Sequence, residues 1–106
     1  MSRFVALADH TRFGAGKMEK CNLFESERMF CDLYCLEPGQ AQKPHAHAAS
    51  DKVYVVMSGE VRVSVGGEER VLGPGGAAWA APGEAHALHN ASSARATVLV
   101  FMTPKP

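Results

Sequence analysis

The sequence lacks an excess of charge of either sign. It contains 11 Lys and Arg residues and 11 Asp and Glu residues, and its pI is near 7.0. Nucleic-acid-binding proteins and polybasic membrane-surface proteins usually have a basic patch, so neither class is favoured. The sequence also lacks an apolar run near the roughly 20 residues that cross a bilayer, and its start lacks the pattern of a signal peptide. We therefore expect a cytoplasmic protein that binds neither nucleic acid nor membranes.

Cysteines are few and odd in number, at Cys21, Cys31 and Cys35. Cys31 and Cys35 lie in an extended segment, where a spacing of four residues separates their Cα atoms by about 13 Å. That separation is too large for a disulfide bond. We expect all three thiols to be reduced.

The sequence also lacks the pattern of a long amphipathic helix. From residue 29 onward it consists of short apolar or alternating runs separated by turns rich in glycine and proline. Short strands at this spacing are typical of an antiparallel sandwich or barrel. The clearest hairpin joins Val61–Val65 to Glu68–Leu72, because Gly66 and Gly67 supply the positive φ that a two-residue turn requires.

The length of 106 residues predicts one domain, 1–106. Residues 1–28 are predicted to form peripheral structure, with Phe4–Leu7 and Cys21–Phe24 as edge strands.

Histidines are the most informative residues that are present. His45 and His47 are two positions apart on an extended segment, so their side chains project from the same side. Two such imidazoles can bind one metal ion at about 2.0–2.1 Å per nitrogen. His86, at the start of a later strand, is the predicted third ligand, whereas His10 and His89 are expected to lie outside the site.

These segments resemble the two motifs of the cupin family. The first motif is matched by Gly39, His45, His47 and Gly59, and the second by Gly75, Gly83, His86 and Asn90, with the proline displaced by one to Pro82. The resemblance covers about residues 36–102 and implies an all-β double-stranded β-helix, or jelly-roll barrel, over that span. It also implies that the family's histidines and one glutamate converge on a divalent metal ion, so that His45, His47 and His86 would be ligands here.

The sequence departs from the motif at the glutamate, where it has Lys52. Three alternatives follow: a three-histidine site, a bulge that turns Asp51 inward as a fourth ligand, or an inward Lys52 that leaves no metal. The residues that share a face with Asp51 are the more apolar set, which favours Asp51 on the core face. An outward, solvated Lys52 is favoured over an inward one.

The resemblance implies a metal-dependent enzyme, of oxygenase or isomerase type, acting on a small organic molecule. The alternative is a non-catalytic module that binds or senses a small molecule and retains a vestigial metal site. Imidazole ligands suit Fe, Mn, Ni, Cu or Zn, so the sequence leaves the metal open. Catalytic residues are not assigned, and a homodimer that covers the open sheet edges is expected.

Overall fold

The computed structural model describes residues 2–106, which form two antiparallel sheets and one helical turn. The helical turn is α1 (Leu7–His10), and the strands are β1 (Glu19–Glu25), β2 (Phe30–Leu36), β3 (Ala41–His45), β4 (Asp51–Ser58), β5 (Val61–Val65), β6 (Glu68–Leu72), β7 (Ala77–Ala80), β8 (His86–His89) and β9 (Ala96–Thr103). One sheet has the order β1-β2-β9-β4-β7 and the other β3-β8-β5-β6. The predicted all-β double-stranded β-helix is confirmed. Among the described residues, no helix is long and apolar enough to cross a membrane.

The main core lies between the two sheets. Alternate residues of each strand point into it, as the pleat of a β-strand requires. In β4 the inward residues are Lys52, Tyr54 and Val56, and all three are buried. The apolar members of this core include Leu36, Val61, Val63, Leu88, Val98 and Val100. These side chains form one continuous apolar cluster.

A second apolar cluster lies on the outer face of the five-stranded sheet. Its buried members come from β1 and β2: Cys21, Leu23, Cys31, Leu33 and Cys35. The N-terminal segment covers them through Val5, Leu7 and Phe13. All three cysteines are free, as predicted. Because they are buried among apolar groups, they act as packing residues.

The prediction for the first 28 residues is confirmed in one part and wrong in another. Cys21–Phe24 lies within β1, the edge strand of the larger sheet. Phe4–Leu7 is not a strand, because a helical turn begins at Leu7. This turn brings the Leu7 side chain into contact with the outer cluster.

The predicted hairpin is present, with Val65 paired to Glu68 across the turn. Gly66 and Gly67 have φ values of 57° and 88°. Two successive positive φ values define the hairpin turn whose twist matches that of the strands. The local sequence was therefore sufficient to predict this element.

Gly59 is predicted to be much less tolerant of a side chain than Gly67. Its φ is 71°, and an added Cβ would lie 2.3 Å from the carbonyl oxygen of Arg95. Gly67 has a φ of 88° with no atom near the added Cβ. We expect Gly59→Ala to lower the free energy of unfolding by about 2 kcal/mol or more, and Gly67→Ala by about 1 kcal/mol. Urea denaturation measures both, and equal losses would contradict the packing argument.

The motif residue Asn90 has a structural role. Its side chain is fully buried, and Nδ2 donates to the carbonyl oxygens of Leu36 and Ala94 at 3.1 and 2.8 Å. Oδ1 accepts hydrogen bonds from the backbone and hydroxyl of Ser92 at 3.1 and 2.8 Å. Asn90 thus connects the loop before β9 to β2, which fixes the end of β8.

Candidate metal centre

An irregularity in β3 brings polar side chains into the barrel. The pairing of β3 with β8 shifts register between Gln42 and His45, a stretch that contains Pro44. Proline cannot donate to the ladder and is tolerated at such bulges. In a regular strand, residues three apart point to opposite faces. The shift lets Gln42 and His45 both face the interior, where His45 pairs with His86.

The structure brings His45, His47 and His86 together at one mouth of the barrel. One ligand nitrogen of each lies within 4.8 Å of the other two. His45 ends β3, His47 follows it by two residues, and His86 begins β8. The carbonyl oxygen of His47 accepts a hydrogen bond from the Gly83 backbone at 2.8 Å, which connects the two histidine-bearing segments. The convergence predicted from the motifs is therefore present.

Two of the imidazoles are held with a nitrogen lone pair directed inward. Nδ1 of His45 donates to the Lys43 carbonyl at 2.9 Å, and Nδ1 of His86 donates to the Glu84 carbonyl at 3.0 Å. These contacts assign the proton to Nδ1 and leave Nε2 unprotonated. Metal-ligating histidines are commonly oriented by such contacts of their other nitrogen.

The spacing of the two Nε2 atoms fits a shared metal ion. They lie 3.1 Å apart, so two lone pairs face each other with no proton between them. Nitrogens at about 2.0–2.1 Å from one ion would be roughly 2.9 Å apart in octahedral and 3.4 Å apart in tetrahedral geometry. The observed separation falls within that interval. The pair formed by His45 and His86 therefore has the spacing of two ligands of one ion, and the ligand nitrogen of His47 lies within 4.8 Å of both.

Burial keeps the imidazoles neutral. His86 is 3% exposed, and burial lowers its pKa to about 4. Burial also lowers the pKa values of His45 and His47, and the nearby Lys52 ammonium adds to both effects. A neutral imidazole is the form that binds metal. These histidines would therefore be ready to act as ligands at neutral pH.

Lys52 points inward, so the expectation of an outward, solvated lysine is wrong. Its side chain is 2% exposed, and Nζ lies 3.4 Å from Nε2 of His45. Burial, followed by the charge of Lys20, lowers the pKa of Lys52 to about 8. The amine lies beside the histidines, at the position where the family motif has its glutamate.

The structure does not bring Asp51 to the histidines. Asp51 lies on the outer face of β4, and its carboxylate accepts a hydrogen bond from Nε1 of Trp79 at 2.8 Å. The apolar residues on the same face of β4 had favoured the opposite orientation. That inference was wrong because the outer face of this sheet is itself largely apolar.

The sequence reasoning missed a chain of buried polar groups beneath the histidines. Tyr54 donates to Oε1 of Gln42 at 2.9 Å, and Nε2 of Gln42 donates to the hydroxyl of Tyr34 at 3.4 Å. Burial raises the pKa of Tyr34 to about 12 and raises that of Tyr54 further. Both phenols are therefore neutral hydrogen-bonding groups. The sequence signal for these buried polar groups was the spacing of Lys52 and Tyr54, which are two positions apart and so share one face of β4.

The remaining histidines and aromatics lie elsewhere. His89 is on the face of β8 opposite to His86, and His10 lies in α1. Trp79 is 60% exposed on the outer face of the five-stranded sheet. A separate groove between β6 and β7, with Glu68, Arg70 and Glu84 among its lining residues, contains none of the three histidines of the cluster.

Comparison with known proteins places these features in a family. The sequence profile of the cupin domain family matches residues 32–102. The chain is 34% identical, over 92% of its length and 83% of the relative, to a Mycobacterium tuberculosis protein named beta-D-galactosidase Rv1717. Its fold matches the crystal structure of TT1209 from Thermus thermophilus, with 48% identity, a TM-score of 0.96 and coverage of 99% and 100%.

A third similar protein is described as a sugar phosphate isomerase of the cupin superfamily, from Silicibacter pomeroyi. It shares 27% identity with a TM-score of 0.67. The match covers 74% of this chain and 52% of that protein. The similarity is therefore to about half of the larger molecule.

Proposed function

The chain belongs to the cupin family, and we propose that it is a metal-dependent enzyme acting on a small, carbohydrate-type molecule. The observation that carries the proposal is the inward pair of Nε2 atoms on His45 and His86, 3.1 Å apart, with His47 beside them. Three protein ligands with open coordination positions are the arrangement expected of a catalytic rather than a structural metal.

The residues of the chain have separable roles in this proposal. The three histidines would hold the ion, which when bound would supply a Lewis acid for a carbonyl or hydroxyl oxygen. The backbone carbonyls of Lys43 and Glu84 fix the orientation of the rings. Lys52 places N–H donors beside the ligand cluster, where they can reach an oxygen atom of the substrate. Imidazole donors leave Fe, Mn, Ni, Cu and Zn open.

The names of the relatives support a carbohydrate as the substrate class. One is named a galactosidase and another a sugar phosphate isomerase. Most glycosidases use two carboxyl groups that flank the bond to be broken. Within the described chain, the histidine cluster includes no Asp or Glu. The donor set therefore favours an isomerase-type reaction on a sugar over hydrolysis by paired carboxylates.

An oxygenase reaction is the second candidate. The three-imidazole donor set also accommodates it, because His45 and His47 are only half-buried and leave the site open to small molecules. Uptake of dioxygen during turnover would distinguish an oxygenase from an isomerase.

Turnover with and without metal tests the proposal. Protein loaded separately with each of the five metals would be incubated with aldoses and followed by proton NMR. We expect conversion with at least one metal, and none with chelator-treated protein or with His86→Ala. His89→Ala, on the opposite face of β8, is the matched control and should retain activity. Saturable binding of sugars without conversion by any metal form would instead indicate a non-catalytic binding module.

The outer face of the five-stranded sheet is proposed to form a homodimer. Trp79, Met57 and Phe101 are exposed there, next to the half that the N-terminal segment covers. A contiguous apolar patch of this kind is typical of an interaction surface. We expect a dimer by light scattering and a monomer for Phe101→Glu, with Lys17→Glu as the control. A monomeric parent protein would contradict this assignment.

A further inference from the structure

Two lysine side chains lie near the histidine cluster, and metal binding alone does not explain their presence there. Lys52 is buried beside His45. Lys20 lies on β1 directly opposite Tyr34 of β2, so both share the inward face of the sheet. The Lys20 and Lys52 Nζ atoms lie 5.4 and 5.6 Å from the centre of the Tyr34 ring. The two ammonium groups therefore flank one aromatic ring beside the histidines.

The protein provides little negative charge to balance them. Within residues 2–106, no carboxylate forms a salt bridge with Lys52 or Lys20. Asp32, also on the inward face of β2, is the nearby acidic group, and it accepts a hydrogen bond from Asn22 at 2.8 Å. When both are protonated, Lys52 and Lys20 carry two positive charges, and Asp32 supplies one negative charge near them.

Replacing the motif glutamate by Lys52 changes the charge at this position by up to two units. An isolated charge is costly to bury unless an opposite charge accompanies it. In the site implied by the motif, the glutamate partly neutralises the metal. Here the position bears a buried amine with N–H donors, so an anionic group of a bound molecule would complement it where the motif has an acceptor.

We infer that the substrate is an anionic sugar, with its carboxylate or phosphate bound by Lys52 and Lys20 next to the three histidines. The inference rests on the proposed function for its carbohydrate part. Lys52 would contact the anion directly, because its Nζ lies beside the histidine cluster. Lys20 is exposed at the edge strand and would contact the anion at the entrance.

Three sugars with one carbon skeleton test the inference: D-galactose, D-galacturonate and D-galactose 6-phosphate. Calorimetric titration into metal-loaded protein should show that at least one charged sugar binds about tenfold more tightly than galactose. The two charged sugars distinguish a carboxylate from a phosphate. The preference should weaken as salt is raised, because the contacts are electrostatic.

Substitution of each lysine tests whether it causes the preference for the charged sugar. Lys52→Met should lower the affinity for the preferred charged sugar about tenfold and that for galactose by much less, because galactose loses a donor but no opposite charge. Lys20→Met should lower the affinity for the charged sugar by less than Lys52→Met does. Lys17→Met, at an exposed lysine outside this pair, is the matched control. Equal binding of all three sugars, no binding of any, or unchanged affinity in Lys52→Met would overturn the inference.

Measuring the metal content of the same samples distinguishes a failure of this inference from a failure of the proposed function. Protein that holds metal but shows no preference for charged sugars contradicts the anionic substrate alone. Protein that holds no metal but still prefers a charged sugar through Lys52 supports the inference and contradicts the metal-dependent enzyme.

Discussion

Lys52→Glu is expected to tighten metal binding by at least about tenfold. The side chain at position 52 reaches the histidine cluster, since its Nζ lies 3.4 Å from Nε2 of His45. An ammonium at that distance repels a divalent cation, whereas a carboxylate attracts it and can act as a fourth ligand. The substitution restores the residue type of the family motif. Competition with a chromophoric chelator measures the change in dissociation constant.

Two control variants separate the effect of removing the positive charge from the effects of adding a carboxylate ligand and of changing the net charge. Lys52→Gln removes the positive charge without adding a strong ligand and should give an intermediate affinity. Lys17→Glu changes the net charge of the protein by the same amount at an exposed position and should have little effect. Unchanged or weaker binding in Lys52→Glu would mean that this side chain does not share the metal site.

Lys52→Met is expected to stabilise the metal-free protein at pH 7. The pKa of Lys52 is lowered from 10.5 to about 8, chiefly by burial. At pH 7 the lysine is protonated in both folded and unfolded chains, so the folded state bears the full cost of the buried charge. Each pKa unit corresponds to about 1.4 kcal/mol, so the cost is about 3 kcal/mol. Methionine fills a similar volume without charge, and urea denaturation in the presence of a chelator measures the gain.

The advantage of the variant should disappear at high pH. Between pH 8 and 10.5 the unfolded chain binds more protons at Lys52 than the folded chain, so the stability of the parent protein rises relative to Lys52→Met. Above 10.5 the lysine is neutral in both states and the cost is gone. Cys35 and Tyr34, whose pKa values are raised by burial, have the opposite trend, but they are common to both proteins and cancel in the difference. A difference that stays constant from pH 7 to 10.5 would show that Lys52 is not a buried charge.

The strands and the three histidines could be predicted because their signals are local. The Gly66–Gly67 turn, the alternation within β5 and the His-x-His spacing each depend on a few neighbouring residues. His86 required only that two motifs occur in the family order. These features are predictable from the sequence because each is determined by backbone geometry over a short stretch of chain.

The orientation of β4 could not be predicted, because it depends on what covers each face of the sheet. Both faces of β4 are largely apolar, so the period-2 pattern did not identify the inward one. The inward face was identified only by contacts across the fold: Lys52 with His45, Tyr54 with Gln42, and Asp51 with Trp79. The bulge near Pro44, which brings Gln42 inward, likewise depends on pairing with β8.

The most direct measurement of the central claim is the metal content of the purified protein and of a variant in which His45, His47 and His86 are all alanine. The site predicts close to one first-row transition-metal ion per chain in the parent protein, or after titration, and none in the variant. The His10→Ala, His89→Ala double variant should retain the metal, because both residues lie outside the cluster. Parent protein that binds none of Fe, Mn, Ni, Cu and Zn, or a triple variant that keeps its metal, would contradict the account.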